Sequence, residues 1–480
     1  MLREAHPVSL MPPEPKRGGN LVRLAAAKFT RLAAGLGVNV MLMRALGVEG
    51  FGVYGYVMTL VGLASFGAGL GMDRLIVRDL SREPDSRGPM VATGLTATVG
   101  LAVVTALGII GWATLIDGRP HVVHTATLAA IATGVLALAR VPEAAFHADR
   151  TMGPATKGQM AGRIALVVTT AIGLWAGLGL YAVFVGQLVD SLVVASIIGG
   201  AYVRWQGRRG LATSLSKVRA LVRRSLPFGL QLLFGSIYLS VDVLLIEMIC
   251  GDTEVGVYRG AVMLISLFPV IAVTLTTGYF PRMARKLGDP KGAGEELSFI
   301  VRVLLAISVP AAVGGMLTAE ALMVFLGGSE FAVSAAPFIV MAPLLPLRFV
   351  NNALATTLST LDRQRDRTRG VFLAAILNLG LNLAVIPHYG AVGAAATTLA
   401  TEVALLSWNR WRVGPIIAGL TVWGPLLRIG VAVCAMAAAL RMVPSLHVVV
   451  DIGFGVVVYA VVGVLVRAFH PSDLRRLRKV

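Results

Sequence analysis

Fourteen apolar runs, each long enough to cross a lipid bilayer, divide this chain, and its lysines and arginines collect in every second gap between them. A helix needs about 20 mostly apolar residues to span a hydrocarbon core roughly 30 Å thick. The runs predict spans near 21–43, 51–73, 90–115, 122–142, 155–177 and 181–203, then 226–249, 255–280, 297–318, 334–360, 368–387 and 391–409, and a final pair near 420–440 and 446–468. Helices satisfy their own backbone groups, whereas an open sheet edge in lipid cannot. The expected fold is therefore an all-α polytopic membrane protein with 14 transmembrane helices. A composition of 56% hydrophobic and 14% charged residues excludes an ordinary soluble domain.

Orientation follows from the charge bias, because cytoplasmic loops retain an excess of Lys and Arg. One side receives 34 of the 43 bases and the other only three, Arg44, Arg119 and Arg441. Both termini are expected in the cytoplasm. The net charge of +18 is spread over eight such segments with no nucleic-acid-binding motif around it, so it reads as an insertion signal that also attracts anionic lipid. Residues 1–20 form a polar tail, with no cleavable signal sequence expected. Cys250 and Cys434 should lie at different depths, which argues against a disulfide or a metal site.

The chain repeats itself. Leu46-Gly47-Val48-Glu49-Gly50-Phe51-Gly52-Val53-Tyr54 after the first span is echoed by Gly251-Asp252-Thr253-Glu254-Val255-Gly256-Val257-Tyr258 after the seventh, with Gly52 and Gly256 204 residues apart. Ala148-Asp149-Arg150 is echoed by Leu361-Asp362-Arg363. Six spans per repeat make both halves enter from the same side, a parallel repeat about the membrane normal. The predicted organisation is a tail (1–20), an N-lobe (21–206), a basic linker (207–225), a C-lobe (226–412), a helix pair (413–470) outside the repeat, and a basic tail (471–480).

Ionisable residues inside spans cost about 2.5–3.5 kcal/mol each at a helix centre, so they mark candidate sites. Lys28, Arg31 and Asn39 share a stripe of the first span, Arg348 falls near the middle of the tenth, and Arg259 lies toward the outer end of the eighth. These are the candidate substrate-binding residues. Lys28 and Arg31 map onto Leu232 and Gly235 in the second half, so their cationic stripe is not duplicated. A cationic interior suits a phosphorylated headgroup, which arginine binds through a planar fork that stays protonated. Asp242, Asp190 and Glu402 are the candidate ion-coupling residues, each able to bind a proton or Na⁺ or to neutralise a buried base.

Three patches carry a family resemblance: Asn378-Leu379-Gly380-Leu381-Asn382 leading into Ile386-Pro387-His388-Tyr389-Gly390-Ala391-Val392-Gly393-Ala394-Ala395; Arg44-Ala45-Leu46-Gly47 with Gly50-Phe51-Gly52-Val53-Tyr54; and Ser240-Val241-Asp242-Val243 before Gly256-Val257-Tyr258. In this order on a duplicated bundle, the chain resembles the oligosaccharide flippases of the multidrug/oligosaccharidyl-lipid/polysaccharide exporter superfamily. That resemblance implies a monomeric carrier in a bacterial inner membrane, which moves a lipid-pyrophosphate-linked oligosaccharide from the cytoplasmic to the periplasmic leaflet by alternating access. Membrane lipids and a glycan polymerase or other assembly proteins are the implied partners. The competing readings are a cation-coupled drug or metabolite antiporter of the same superfamily and a membrane-embedded glycan polymerase. No GxxxxGK[ST] phosphate cradle, metal-ligand spacing or catalytic cluster occurs, so neither an enzyme nor a cofactor is expected.

Overall fold

A computed structural model describes residues 17–83, 86–149, 151–206, 213–286, 289–414, 423–443 and 447–468. Sixteen α-helices run through them. Up to residue 206 these are α1 (Arg17–Gly69), α2 (Met72–Arg82), α3 (Arg87–Trp112), α4 (Pro120–Ala148), α5 (Gly153–Trp175) and α6 (Tyr181–Gln206). The second half holds α7 (Leu215–Cys250), α8 (Asp252–Ile265), α9 (Pro269–Arg285), α10 (Pro290–Leu317), α11 (Ala319–Gly327), α12 (Ala335–Met341), α13 (Leu344–Thr360) and α14 (Gln364–Val413). The last two are α15 (Trp423–Met442) and α16 (Val448–Leu465). Eight helical stretches are long and apolar enough to cross a membrane, or ten if two bent pairs count as spans.

Two of these helices are too long to be single spans. At 1.5 Å per residue, the 53 residues of α1 would extend about 80 Å if straight. Instead the backbone breaks at Gly47 (φ 66°, ψ −171°), and the 50-residue α14 breaks at Gly390 (φ 49°, ψ −132°). Both conformations are closed to residues bearing a Cβ. Gly251 and Gly328 adopt the same kind of turn, before α8 and after α11. All four glycines lie at one end of the bundle, here called the hairpin end. The opposite end carries the basic connections, where Arg224 pairs with Asp79 and Arg87 with Asp149.

Side-chain patterning explains which faces pack. Val103, Val104 and Leu107 on α3, Phe372 and Ile376 on α14, and Val457, Val461 and Val464 on α16 are all exposed, an arrangement stable only against acyl chains. Buried threonines such as Thr125 and Thr276 return their hydroxyls to the preceding helical turn, which satisfies them without water. The amphipathic α2 buries Met72, Leu75, Ile76 and Leu80 and leaves Arg74, Arg78 and Arg82 exposed on one face.

The cores show how the halves meet. One apolar core at the hairpin end mixes both halves, joining Leu42, Phe51, Tyr54 and Phe184 to Val255, Tyr258, Phe331 and Ala394. Toward the basic end two further cores stay separate, one built from residues 72–221 and the other from residues 272–459. The halves thus share one core at the hairpin end and keep separate cores toward the basic end, where Leu70 and Gly71 still meet Phe228 and Gly229 of α7.

Candidate functional site

Three cavities converge where α8 gives way to α9. Here α8 ends at Ile265, the chain turns through residues 266–268, and Pro269 restarts the helix at a position where its missing N–H costs nothing. The largest cavity, 560 Å³, is apolar and is walled by Leu267 and Phe268, by α10, and by Met436, Leu440, Val456 and Tyr459 of α15 and α16. A second, 220 Å³, is lined by Asp242, Tyr258, Arg259, Arg348 and Thr398. The third, 290 Å³, is lined by Arg348, Asn351, Asn352, Arg367, Glu402 and Asn409. Along α13, Leu345 faces the first cavity, Arg348 the second and third, and Asn352 the third.

Asp242 is the centre of the second cavity's polar wall. It is 4% exposed and accepts three hydrogen bonds, from Tyr258 Oη at 2.7 Å, Asn382 Nδ2 at 2.6 Å and Thr398 Oγ1 at 3.0 Å. Asn382 also contacts Asn378 Oδ1 at 3.0 Å and accepts from Thr397. Three donors satisfy a carboxylate that would otherwise be costly to bury. Arg259 differs: its stem packs on Gly55 of α1, across the seam between halves, and no hydrogen bond or ion pair reaches its guanidinium among the described residues. Arg348 Nε lies 3.5 Å from Glu402 Oε2, and Asn351 Nδ2 donates to Glu402 Oε1 at 2.7 Å. Two arginines and one carboxylate therefore line this cavity, an arrangement that favours an anion.

The sequence candidates separate accordingly. Arg259, Arg348 and Asp242 share one cavity, and Glu402 joins them through Arg348. Asp190 does not: on α6 it is 3.4 Å from Arg163 of α5, an ion pair inside the first half. Arg163 lies inside the predicted span 155–177 but was not among the candidate residues; α5 places it a few turns in, facing Asp190. Asn39 is half-buried on α1 and lines none of the three cavities. The side chains of Lys28 and Arg31 lie outside the described residues. Among the described residues no cluster of three His, Cys, Asp or Glu side chains is arranged to hold a metal ion.

At the hairpin end, contacts between halves repeat with the internal symmetry. A Cβ on Gly52 would collide with the Asp252 carbonyl, and one on Gly256 with the Val48 carbonyl; both pairs obey the 204-residue offset. Flanking this crossing, Arg119 of the α3–α4 connection binds Glu247 at 2.5 Å and Asp252, and also Asp117 at 2.7 Å. On the other flank the first half again donates and the second accepts. Arg44 of α1 donates to the carbonyls of Phe325 (2.6 Å) and Leu326 (3.1 Å), and Glu330 accepts from Val48 N at 3.4 Å. Burial pushes the Asp117 carboxyl up, but the hydrogen bonds and charge of Arg119 outweigh it and hold the group below the usual carboxylate range. Sequence reasoning passed over Arg119 as a loop base; its signal was an Asp-Gly-Arg-Pro turn facing the acids on either side of Gly251.

Comparison with known proteins agrees with this architecture. The chain is 23% identical over 231 residues to "Probable low-salt glycan biosynthesis flippase Agl15" of Haloferax volcanii, covering 47% of this chain and about half, 49%, of that relative's length. It is 22% identical over 391 residues to "Probable flippase AglR" of the same organism, covering 79% and 80%. Among solved structures, the lipid II flippase MurJ in an inward closed conformation superposes with a TM-score of 0.76 at 12% identity, over 92% of this chain and 98% of that one. An inward-facing multidrug resistance MATE family transporter gives 0.63 at 14% identity, over 82% and 98%. Both likenesses concern the fold, an all-helical, multi-pass membrane bundle. The MatE family profile matches residues 227–384, and that of the polysaccharide biosynthesis proteins matches residues 19–286. Because that second match spans more than half of its 480 residues, the chain belongs to the polysaccharide biosynthesis protein family.

Proposed function

We propose that the chain is a flippase, moving a lipid-diphosphate-linked oligosaccharide from the cytoplasmic to the outer leaflet for cell-surface polysaccharide assembly, with no catalytic step of its own. The observation that carries this reading is the cavity holding Arg259 and Arg348 beside the seam between the halves, with two guanidiniums against the single carboxylate of Asp242 and no ion pair to Arg259 among the described residues. A cationic drug would meet two guanidiniums there, which argues against the antiporter alternative. The neighbouring apolar cavity gives part of a polyprenyl chain a place outside the aqueous path.

In this reading each arm of α1 and α14 is a span, the α8–α9 and α12–α13 segments form one span each, and the count is fourteen. The lobes are 21–206 and 226–412, with 413–470 as an added pair. Both termini are cytoplasmic, the hairpin end faces outward, and the separate cores at the basic end flank an inward-opening cleft. The protein acts as a monomer in a cell membrane, delivering substrate to glycan polymerases or other assembly proteins; a bacterial inner membrane is the setting the sequence favoured. The H. volcanii relatives are archaeal, so the carrier lipid is defined here only by its diphosphate and polyprenyl chain.

Charge-assisted hydrogen bonds to phosphate contribute about 1.5–3 kcal/mol each, so Arg259→Ala and Arg348→Ala should each lower flipping by about tenfold or more at unchanged membrane abundance. Normal transport of a lipid-linked oligosaccharide by both variants in proteoliposomes would overturn the diphosphate site. Asp242, ringed by side-chain amides and hydroxyls with no second carboxylate in its cavity, suits a proton or Na⁺ rather than a transition metal. Asp242→Asn should therefore make flipping insensitive to imposed Na⁺ and pH gradients. A variant that responds to both gradients as the native chain does removes Asp242 from coupling.

A further inference from the structure

We propose that the 290 Å³ cavity beside Arg348 is a sugar subsite, which takes the single saccharide unit nearest the diphosphate. The inference rests on the reading of Arg259 and Arg348 as the diphosphate site. It assigns a separate role to the amides beyond them.

Continuity is the first argument. Arg348 belongs to the walls of both polar cavities, so a group bound to its guanidinium in one is adjacent to the other. The order along α13 is the second. Leu345 faces the apolar cavity, Arg348 follows, and Asn352 sits about one turn, or about 6 Å, further toward the basic end. Apolar, cationic and amide-lined spaces thus succeed one another as tail, diphosphate and sugar do in the substrate.

The third argument is hydrogen-bonding capacity. Asn351 is fully committed, donating to Glu402 and accepting from Asn409 Nδ2 at 3.1 Å, so it fixes its neighbours. That leaves Asn409 Oδ1 without a partner although Asn409 is 2% exposed. Asn352 meets Thr276 at 2.6 Å through one amide atom, and its other amide atom has no partner among the described residues. A sugar hydroxyl both donates and accepts, and can answer unspent groups of either kind. Size sets the limit: 290 Å³ lies at the small end of ligand pockets, room for one ring, with the rest of a glycan in the open cleft. A water-filled route for a cation toward Asp242 is the competing use of this space. Arg348 and Arg367 against the lone Glu402 make its walls unfavourable to one.

The test uses the full chain in lipid nanodiscs and two probes, a polyprenyl diphosphate and the same lipid bearing one N-acetylhexosamine. The native chain is expected to bind the sugar-bearing probe about tenfold more tightly, the worth of one or two hydrogen bonds. Asn352→Leu and, separately, Asn409→Leu should bring that ratio close to one, with the sugarless affinity reporting that the variant is folded. Ratios that stay at the native value, or affinities for both probes that fall together, overturn the subsite. So does a change in the Na⁺ dependence of flipping at a native sugar ratio, which would make the cavity a cation path. A native chain that binds neither probe overturns the flippase reading itself. One that binds both equally overturns the subsite alone.

Discussion

Gly256→Val is expected to hold the hairpin end open and to cut flipping by roughly 100-fold, the consequence of about 3 kcal/mol of overpacking at the seam between the halves. The magnitude follows from what the new side chain meets. A Cβ at residue 256 runs into the backbone carbonyl of Val48, and one at Gly52 into that of Asp252, so no rotamer change can relieve either clash. The first turn of α8 and the second arm of α1 would have to separate, and the core shared by Phe51, Val255 and Phe331 would part with them. Gly52→Val should behave alike because the contact is duplicated, and alanine at either site should give a smaller effect of the same sign. A native thiol reports the outcome: Cys250 adjoins Gly251 and is half-buried, whereas Cys434 is exposed. In a Cys434→Ala background, membrane-impermeant maleimide applied from outside should label Cys250 several-fold faster in Gly256→Val than in the native chain. Unchanged labelling together with normal flipping would show that the lobes need not close here.

These glycines were visible in the sequence as a repeat, and what could be read in advance follows a physical rule. The helices were legible because twenty apolar residues have one stable arrangement in lipid, and the predicted runs fall on helix in the described residues, broken by turns at 70–71, 266–268 and 342–343. Arg348, Asp242 and Glu402 were legible because a charge inside such a run is costly and needs a reason. Their convergence was not, since it depends on how α7, α13 and α14 pack. The α8–α9 break escaped notice because a proline after an apolar turn reads like any other span interior. Asp190 was singled out as an acid inside a span and is buried, but its partner Arg163, inside the predicted span 155–177, was not weighed as a candidate because it lies in the first turns of that span and reads like an interfacial base. The Arg119 cluster was least accessible: its acids lie 128 and 133 residues away in sequence, and loop charges carry no periodicity that names a partner.

Arg119→Ala is expected to favour the outward-open state by roughly 30- to 150-fold, because it removes the arginine that pairs with all three carboxylates of the cluster. The Asp117 and Glu247 side chains are 6% and 8% exposed and Asp252 is 13% exposed, so none can be re-solvated without movement. Breaking a buried pair costs about 3–5 kcal/mol, and Arg119, itself about one-third exposed, merits a discount to about 2–3 kcal/mol. The cheapest relief is to part the lobes, since Asp117 belongs to the first and Glu247 and Asp252 to the second. Glycan release should then be favoured and the return to the inward-open form slowed, so steady-state flipping falls while Cys250 labelling rises. Asp117 adds a pH signature. Its carboxyl is held below the ordinary value in the closed form, so its contribution is present above the unfolded pKa and lost only as pH falls through the depressed one. The Asp117–Arg119 contact should therefore persist in mildly acidic media. Replacing Glu247 and Asp252 together with glutamine and asparagine removes the repulsion as well as the attraction, and in the Arg119→Ala background it should return Cys250 labelling most of the way toward the native rate. If that triple variant labels as fast as Arg119→Ala alone, charge is not what keeps this end closed, and the crossing of Gly52 and Gly256 is left to do so.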